Sequence, residues 1–376
     1  MNALLTSLLV VVLTSNAVEV RRVPDGGIQP QAVVDAAGQV HLIYFKGDPA
    51  RGDVFYVRFN SADGSFSLPL RVNSMAGSAV AVGNIRGAHL ALGRNGRAHV
   101  AWMGSQQAPK VDGESPMLYS RIDESRTKFE PERNVITKNF GLDGGGSVAA
   151  DGDGNVYVVW HAGEPGKKGE EYRRVWVARS HDEGATFEPE STGSLNPTGA
   201  CGCCGMRAFC DAAGTLFILY RGATQTIHRD MFLVTTTAAS AKPLSQRVAE
   251  WQVGKCIMST SAFAPSPSGT LASWETEGQV YWGRLATAGS KPPRPIAAPG
   301  GTGNRKYPVV AADAEGRVLL AWTEGMGWNQ GGAAAWQVFD AAGKPVPGEA
   351  GRVPGVPVWS LVAAWPKPDG GFVVMY

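Results

Sequence analysis

The sequence predicts an all-β fold, a β-propeller with seven blades by hairpin count and six as the alternative, from three observations. The 376 residues include 48 glycines and 24 prolines, and only 18% of them are charged. This composition favours short strands joined by turns over long helices. A hairpin pattern recurs with a period of 48 to 60 residues. A third strand candidate follows most of these hairpins, which together describe the blades of a propeller.

Each repeat reads as a β-hairpin. An apolar run leads into a turn of Asp, Ala and Gly, and a second run closes on an aromatic residue. In six of the seven repeats a glycine stands six residues before that aromatic residue, as Gly38 does before Tyr44, whereas the Gly269 copy is one residue shorter. Glycine supplies the positive φ of the turn, and the copies must stack because one hairpin cannot bury both faces. The closing aromatic residues are Tyr44, Trp102, Trp160, Tyr220, Trp274, Trp322 and Tyr376.

Strand candidates downstream of the hairpins complete the blades. Segments such as 53–60, "DVFYVRFN", and 173–180, "RRVWVARS", are rich in β-branched and aromatic residues, which is typical of strands. A looser fourth strand often follows. The last repeat stops after its second strand, so residues 18–24, "VEVRRVP", are expected to supply a closing strand and remove an open edge.

The N-terminal segment predicts a signal peptide. An apolar stretch ends in Ser15-Asn16-Ala17, a small-x-small cleavage site, and it is too short to span a bilayer. We therefore expect a signal peptide over residues 1–17, cleaved near Ala17, and a single propeller domain over residues 18–376. The protein would be periplasmic or secreted, in a compartment that permits disulfides.

One motif narrows the fold family. Residues 180–187, "SHDEGATF", fit the pattern S-x-D-x-G-x-T-[WF], and segments 60–66 and 120–129 look like decayed copies. The motif resembles the Asp box, or BNR repeat, of the sialidase-like propellers, and the resemblance covers the chain after the signal peptide. It implies a turn between the third and fourth strands of a blade, in which Asp182 and Ser180 bond to the turn's own amides. The matching positions are Ser180, Asp182, Gly184, Thr186 and Phe187.

Strand direction sorts the loops of a propeller onto two faces. The loop that leads into the first strand of a blade and the loop that follows the second strand lie on one face, here called the upper face. The Asp-box turns lie on the opposite, lower face. First strands surround the central channel, so the leading loops crowd around its upper mouth.

Cysteines occupy two such leading loops in consecutive blades. Segment 199–210, "GACGCCGMRAFC", holds four of the five cysteines, and Cys256 lies in the next leading loop. We therefore expect the thiols of both loops to converge at the channel mouth. Cys210 falls inside the first strand and is expected to be a buried residue outside the cluster.

Three interpretations of the thiols remain open. A soft metal site suits copper(I) first and zinc(II) second. Disulfides could instead join one loop to its neighbour. Thiol redox chemistry is the third, because Lys255 and Arg207 flank the thiols and could lower a thiol pKa. The candidate metal ligands are Cys203, Cys204 and Cys256 first, with Cys201, Met258 and His161 as completions.

The cysteine segment is also similar to a subset of exported sialidase-like propellers. These carry a Cys-rich leading loop and a later Cys-Pro-[His/Met] loop, in which Ile257 replaces the proline here. The wider resemblance implies a second candidate activity, that of an exo-α-sialidase. Such an enzyme needs arginines that clamp a carboxylate and a tyrosine nucleophile activated by a glutamate. The upper-face candidates are Arg86, Arg207 and Arg305 for the clamp, and Tyr307 with Glu275 for the nucleophile pair.

The leading hypothesis is an exported sialidase-like propeller with a thiol-rich copper site that binds the metal or supports metal or thiol redox chemistry. The alternatives are a sialidase-type glycoside hydrolase and a non-catalytic binding propeller with disulfide-stapled loops. If the protein is an enzyme, the classes are a glycoside hydrolase or a copper-dependent oxidoreductase. We expect a monomer with a metal, small-molecule or glycan ligand at the upper face, and no membrane span. A net charge of +2 gives no reason to expect nucleic acid.

Overall fold

The computed structural model describes residues 18–193, 197–225, 227–237, 242–285 and 292–376. These residues form seven small sheets arranged as the seven blades of a propeller, which confirms the predicted fold and excludes the six-blade alternative. The predicted signal peptide, residues 1–17, lies outside the described residues. In the described part of the chain, no helix has the length and apolar character needed to cross a membrane.

Blades 1 to 3 occupy the first half of the chain, after a single N-terminal strand. Short 3-10 turns lie at Pro24–Gly26, Arg94–Gly96 and Glu170–Tyr172. The strands are β1 (Val18–Arg21); β2 (Ile28–Val34), β3 (Val40–Asp48), β4 (Arg51–Phe59) and β5 (Leu70–Arg71) in blade 1; β6 (His89–Leu92), β7 (Ala98–Met103), β8 (Met117–Arg121) and β9 (Arg133–Asn134) in blade 2; and β10 (Ser147–Ala150), β11 (Val156–Gly163), β12 (Arg173–Ser180) and β13 (Ser191–Thr192) in blade 3.

Blades 4 to 7 complete the ring. Their strands are β14 (Arg207–Cys210), β15 (Thr215–Arg221), β16 (Met231–Thr237) and β17 (Leu244–Ala249) in blade 4; β18 (Ser261–Ser266), β19 (Gly269–Thr276), β20 (Gln279–Arg284) and β21 (Ile296–Ala297) in blade 5; β22 (Arg305–Ala312), β23 (Val318–Glu324), β24 (Gly332–Phe339) and β25 (Pro345–Val356) in blade 6; and β26 (Ala363–Pro366) and β27 (Phe372–Met375) in blade 7.

The repeated hairpin forms the inner half of every blade. All seven repeat glycines have a positive φ, between 69° at Gly96 and 111° at Gly269, as a tight turn between paired strands requires. The aromatic residues that close the repeats are buried, and Trp102 packs with Val54 and Tyr56 of the preceding blade. The apolar core therefore lies between neighbouring blades, which is why the repeats stack.

The chain ends meet in blade 7. Strand β1 pairs in parallel with β27, with Val18 opposite Phe372 and Arg21 opposite Met375. Strand β27 in turn pairs antiparallel with β26. The prediction that residues 18–24 supply a closing strand is confirmed, because β1 covers the edge that β27 would otherwise expose.

Candidate metal centre

The two cysteine-bearing loops touch each other at the upper mouth of the channel. One loop leads into β14 and the other into β18, the first strands of blades 4 and 5. The amide of Gly205 donates to the carbonyl of Ser259 at 2.9 Å, which joins the loops directly. The predicted convergence of the two leading loops is therefore present.

Three sulfurs form a compact group in the first loop. The Sγ atoms of Cys201, Cys203 and Cys204 all lie within 4.8 Å of one another. Cys201 Sγ lies 2.7 Å from Cys204 Sγ and 3.5 Å from Cys203 Sγ. Cys201 and Cys204 are buried, Cys203 is half-buried, and all three are free thiols. Backbone geometry holds the group, since the amide of Cys204 donates to the carbonyl of Cys201 at 3.3 Å.

The second loop adds Cys256 to the edge of this group. Cys256 and Cys203 each shift the pKa of the other, so the Cys256 thiol lies near the group of three sulfurs that are within 4.8 Å of one another, without belonging to it. Met258 has a φ of 47°, an uncommon conformation for a residue with a side chain. A Cβ built on Gly83 would lie 3.2 Å from the Met258 methyl group, so the methionine side chain extends toward the leading loop of blade 2.

The pKa values of the cysteine thiols are shifted in different directions. Hydrogen bonding with Cys201 and Cys204 lowers the pKa of Cys203, whereas hydrogen bonding with Cys203 and Cys204 raises the pKa of Cys201. Burial raises the pKa of Cys204. Partial burial and the hydrogen bond with Cys203 raise the pKa of Cys256 to about 12. Of the three thiols in the group, Cys203 is the one whose surroundings favour the ionised form, and it is also the most exposed of the three.

A buried arginine lies beside the sulfurs. Arg221, in β15, is 2% exposed, and its guanidinium donates to the carbonyls of Arg229 and Glu275 and to the Ser259 hydroxyl. It also lies 5.0 Å from the ring centre of Trp251. The carbonyl of Arg221 accepts from the amide of Cys201 at 2.8 Å. Its positive charge lowers the pKa of Cys204 against the effect of burial.

The sequence reasoning missed one charged bridge, between Glu170 and Arg229. Glu170 accepts from the amide of Gly202 at 2.7 Å and pairs with Arg229 at 2.7 Å. Glu170 lies in the loop that follows the second strand of blade 3, so three blades contribute to the site. Glu170 belongs to no recognisable sequence motif, so nothing in the sequence distinguishes it from the other polar residues of its loop.

His161 lies next to the sulfurs but outside their group. It is buried in β11, and its Nδ1 lies 3.4 Å from Nη1 of Arg173. Its Nε2 lies close to the carbonyl of Cys204 without a well-aligned hydrogen bond. Burial and the Arg173 charge lower the pKa of His161 to about 4, so the imidazole is neutral. Because Nδ1 accepts from Arg173, Nε2 carries the proton, and the ring would have to change tautomer and lose the Arg173 contact to bind a metal beside the sulfurs.

Glu275 and Tyr307 form a second buried pair near the thiols. Burial raises the pKa of Glu275 to about 7, and its Oε2 atom has no hydrogen-bond partner among the described residues. Burial and the charge of Glu275 raise the pKa of Tyr307, and charges on Cys204 and Cys256 act in the same direction. The charge of Glu275 therefore acts on Tyr307, but no hydrogen bond joins the two side chains among the described residues.

The three arginines of the predicted carboxylate clamp have different surroundings. Arg86 pairs with Asp143 at 3.2 Å, and Arg305 pairs with Glu324 at 3.2 Å. Arg207 instead lines the central channel. Two of the three guanidinium groups are thus already neutralised by carboxylates of their own chain.

The turn over residues 180–187 is a self-contained hydrogen-bonded unit between β12 and β13. The Ser180 hydroxyl bonds to Asp182 at 2.7 Å and accepts from the amide of Gly184 at 2.8 Å. The other carboxylate contacts come from Thr186, whose amide and hydroxyl donate to Asp182 at 2.8 and 2.7 Å. Phe187 packs edge-on against Tyr119 of the neighbouring blade. These bonds suit a structural role, while the assignment as an Asp box stays a prediction.

Comparison with known proteins identifies the fold and no family. No family model and no curated protein matches the chain. Among solved structures, the α-L-arabinanase of Penicillium chrysogenum, complexed with arabinobiose, has a TM-score of 0.52 at 13% identity over 85% of this chain and 95% of that one. A fungal alcohol oxidase of the AA5 family, in complex with copper, has a TM-score of 0.50 at 14% identity over 92% of this chain and 69% of that one. Similarity at such low identity is evidence for the propeller fold alone.

Proposed function

We propose that the chain is a soft-metal-binding propeller whose cysteine cluster holds copper(I). The single observation that carries the proposal is the grouping of the Cys201, Cys203 and Cys204 sulfurs within 4.8 Å at the channel mouth. Thiolates bound to one ion at about 2.3 Å lie no more than about 4.6 Å apart, so the three sulfurs can share a metal once Cys201 and Cys204 move apart. Copper(I) is the ion that thiolate and thioether ligands favour first.

The surroundings support binding of a thiolate cluster. Arg221 supplies a positive charge beside the sulfurs, which offsets the negative charge that the cysteines acquire when a metal displaces their protons, whereas the Arg229 charge is already paired with Glu170. Cys256 extends the ligand set from the second loop, and His161 offers a neutral imidazole beside it. Copper bound there would supply soft Lewis-acid or one-electron chemistry, while the chain provides the ligands, the cationic lining and the exclusion of water.

The pair Cys201 and Cys204 distinguishes the metal interpretation from the disulfide interpretation. Their separation of 2.7 Å is shorter than that of two ligands on a tetrahedral ion, about 3.8 Å. Binding therefore requires this pair to open, whereas oxidation would require it to close. The oxidation state of the purified protein decides between them.

Metal titration under anaerobic conditions tests the proposal. Reduced protein is expected to bind a single copper(I) ion per chain in competition with a chromogenic chelator, and to bind zinc(II) more weakly. Cys203→Ser should lower the copper affinity at least about 100-fold, because it removes the thiol whose surroundings favour the ionised form. His161→Gln should lower it less than about tenfold, because its nitrogen lies outside the sulfur group.

Cys210→Ser is the matched control, because Cys210 is a thiol of the same loop segment that lies within β14. It should leave the copper affinity unchanged. Absence of bound copper in the titrated, reduced protein would overturn the proposal, as would an anaerobically purified protein with no bound metal and no free thiol other than Cys210. A Cys201–Cys204 disulfide that resists mild reductant would favour the binding propeller with stapled loops instead.

We further propose that residues 1–17 are a signal peptide and that the mature chain, residues 18–376, is one exported propeller domain. The expected N-terminus of the exported protein is Val18. N-terminal sequencing of the protein recovered from the periplasm or medium checks this, and a cytoplasmic protein that retains Met1 would contradict it.

A glycoside hydrolase is the second candidate function, favoured by two buried residues of the predicted nucleophile pair, Tyr307 and Glu275, since the glutamate charge raises the pKa of the tyrosine. A carboxyl group next to a buried tyrosine is the arrangement that a tyrosine nucleophile requires. The candidate predicts turnover of a fluorogenic sialoside that Arg305→Ala abolishes. No turnover, or turnover that Arg305→Ala leaves unchanged, would end it.

A further inference from the structure

Arg207 occupies an unusual position, at the junction of two cavities in the central channel. An upper cavity of about 80 Å³ and a lower cavity of about 690 Å³ both have Arg207 in their lining. The residue begins β14, the innermost strand of blade 4, so its side chain belongs to the channel wall. The two cavities form a shaft that widens toward the lower face.

The guanidinium of Arg207 has no partner of its own. Within the described ranges, no residue makes a hydrogen bond or an ion pair with it. Burial in the channel wall lowers the pKa of Arg207 to about 10, while part of the residue's surface remains accessible to the two cavities. A charge in such surroundings is stabilised when a bound anion pairs with it.

Further polar atoms without partners surround the upper cavity. Nδ1 of His89 and the hydroxyl of Ser261 are both buried without a hydrogen-bond partner in the described structure, as is Oε1 of Gln29. His89 and Ser261 can donate hydrogen bonds to an anion. The upper cavity therefore offers two neutral donors next to an unpaired guanidinium, which is the set that a carboxylate needs.

The lower cavity is mainly apolar, in contrast to the upper cavity with its polar atoms. Most residues that line it are apolar, and they include Leu92 and Phe209, which the neighbouring blades bury only in part. The cavity reaches the exposed hairpin turns of the lower face, and the one acidic residue in its lining, Asp35, already accepts hydrogen bonds from the amides of its own turn. Its volume lies within the range of small-molecule sites, about 300 to 1,000 Å³.

We propose that the channel binds a small amphipathic carboxylate, with its head group on Arg207 and its apolar tail in the lower cavity. A bidentate Arg–carboxylate pair satisfies the guanidinium, and the apolar walls favour a hydrocarbon tail over a polar one. The ligand enters from the lower face, opposite the cysteine cluster. The proposal is therefore independent of the metal site.

Calorimetric titration with octanoate, 1-octanol and inorganic sulfate tests the proposal on the full-length mature protein. Octanoate is expected to bind a single site at least about tenfold more tightly than 1-octanol, because only the carboxylate pairs with Arg207. Sulfate, which lacks a tail, should bind at least about tenfold more weakly than octanoate as well. Equal binding of octanoate and 1-octanol, preferential binding of sulfate, or no binding heat with octanoate overturns the proposal.

Arg207→Gln should weaken octanoate binding at least about tenfold, because it retains side-chain length and removes the charge. Arg294→Gln, a change of the same chemistry at an exposed arginine, should leave binding unchanged. Unfolding temperature measured without ligand serves as the folding check, and Arg207→Gln is expected to keep it or raise it, since an unpaired charge is removed. Octanoate binding that survives Arg207→Gln in a folded variant overturns the assignment. The comparison of ligands on the unaltered protein stands even if the variant does not fold.

Discussion

The cysteine cluster and the turn over residues 180–187 lie on opposite faces of the ring. They differ in where their polar groups find hydrogen-bond partners. In the turn, Asp182 finds its partners within four residues, so the polar groups are satisfied locally. In the cluster, polar groups arrive from three blades, and His161 Nε2 and Glu275 Oε2 remain without a partner among the described residues. Locally satisfied groups stabilise a fold, whereas unsatisfied groups held at a channel mouth are available to a ligand.

The largest expected loss of stability comes from a substitution in the turn over residues 180–187 that leaves the cysteine cluster unchanged. Gly184 has a φ of 75°, and a Cβ there would overlap the hydroxyl of the buried Tyr119. Gly184→Ala should therefore lower the free energy of unfolding by about 3 kcal/mol through backbone strain and overpacking together. Urea denaturation measures this. The copper stoichiometry should not change.

Gly152→Ala is the control for that substitution. Gly152 lies in the hairpin turn of the same blade, and a Cβ there would meet no other atom within 4 Å. Its effect should stay within about 0.5 kcal/mol. If Gly184→Ala abolished copper binding in a protein that remains folded, the two faces would be coupled and the comparison would fail.

The second prediction concerns the pH dependence of Glu275. Burial raises its pKa from 4.5 to about 7, so between these values the folded protein binds a proton that the unfolded chain has released. Stability must therefore fall as the pH rises across this window. At 1.36 kcal/mol per pKa unit the loss is about 3 kcal/mol.

Glu275→Gln removes this dependence, because the amide resembles the neutral carboxyl in shape and does not titrate. The variant should equal the metal-free wild-type protein below about pH 4.5 and exceed its stability by up to about 3 kcal/mol near pH 8. Urea denaturation across this pH range checks the prediction. If the stability of both proteins depended on pH in the same way, Glu275 would have the same pKa in the folded and unfolded states, which contradicts the prediction.

The smallest expected effect tests the local character of the turn. Asp182→Asn should cost about 1 kcal/mol, because weaker acceptors replace the carboxylate that Thr186 bonds to. Hydrogen bonds from Thr186 and Ser180 outweigh burial and hold the pKa of Asp182 at about 2, so the stability it contributes is lost as the pH falls from 3.8 toward that value. The difference between variant and wild type should shrink over the same interval in acid denaturation.

Asp123→Asn provides the matched comparison in blade 2. Asp123 accepts from the amide of Thr127 at 3.1 Å, as Asp182 does from Thr186 at 2.8 Å, so its replacement should cost about the same or less. A cost at Asp182 several times larger than at Asp123 would mean that this turn contributes beyond its own hydrogen bonds.

The sequence alone determined the ring. Hairpin turns and closing aromatic residues repeat at a spacing that only stacked blades can bury, and the positive φ of every repeat glycine follows from that local pattern. The closing strand was also predictable, because a final repeat of two strands leaves an edge that the N-terminal segment can cover. Even the meeting of Cys203 and Cys256 followed from strand direction and blade order.

Only the tertiary structure decided what surrounds those thiols and the channel. Glu170 approaches the sulfurs from blade 3, whereas Arg221 and Arg229 belong to blade 4, and no local spacing encodes their distances. Arg207 was predicted as a rim residue that clamps a substrate, yet its unpaired position inside the shaft depends on which side of an inner strand faces the axis. The hydrogen bonds within a turn and the spacing of the hairpin repeat depend on residues that are close in the sequence. Burial, charge pairing and pKa depend on atoms that meet only after the blades close into a ring.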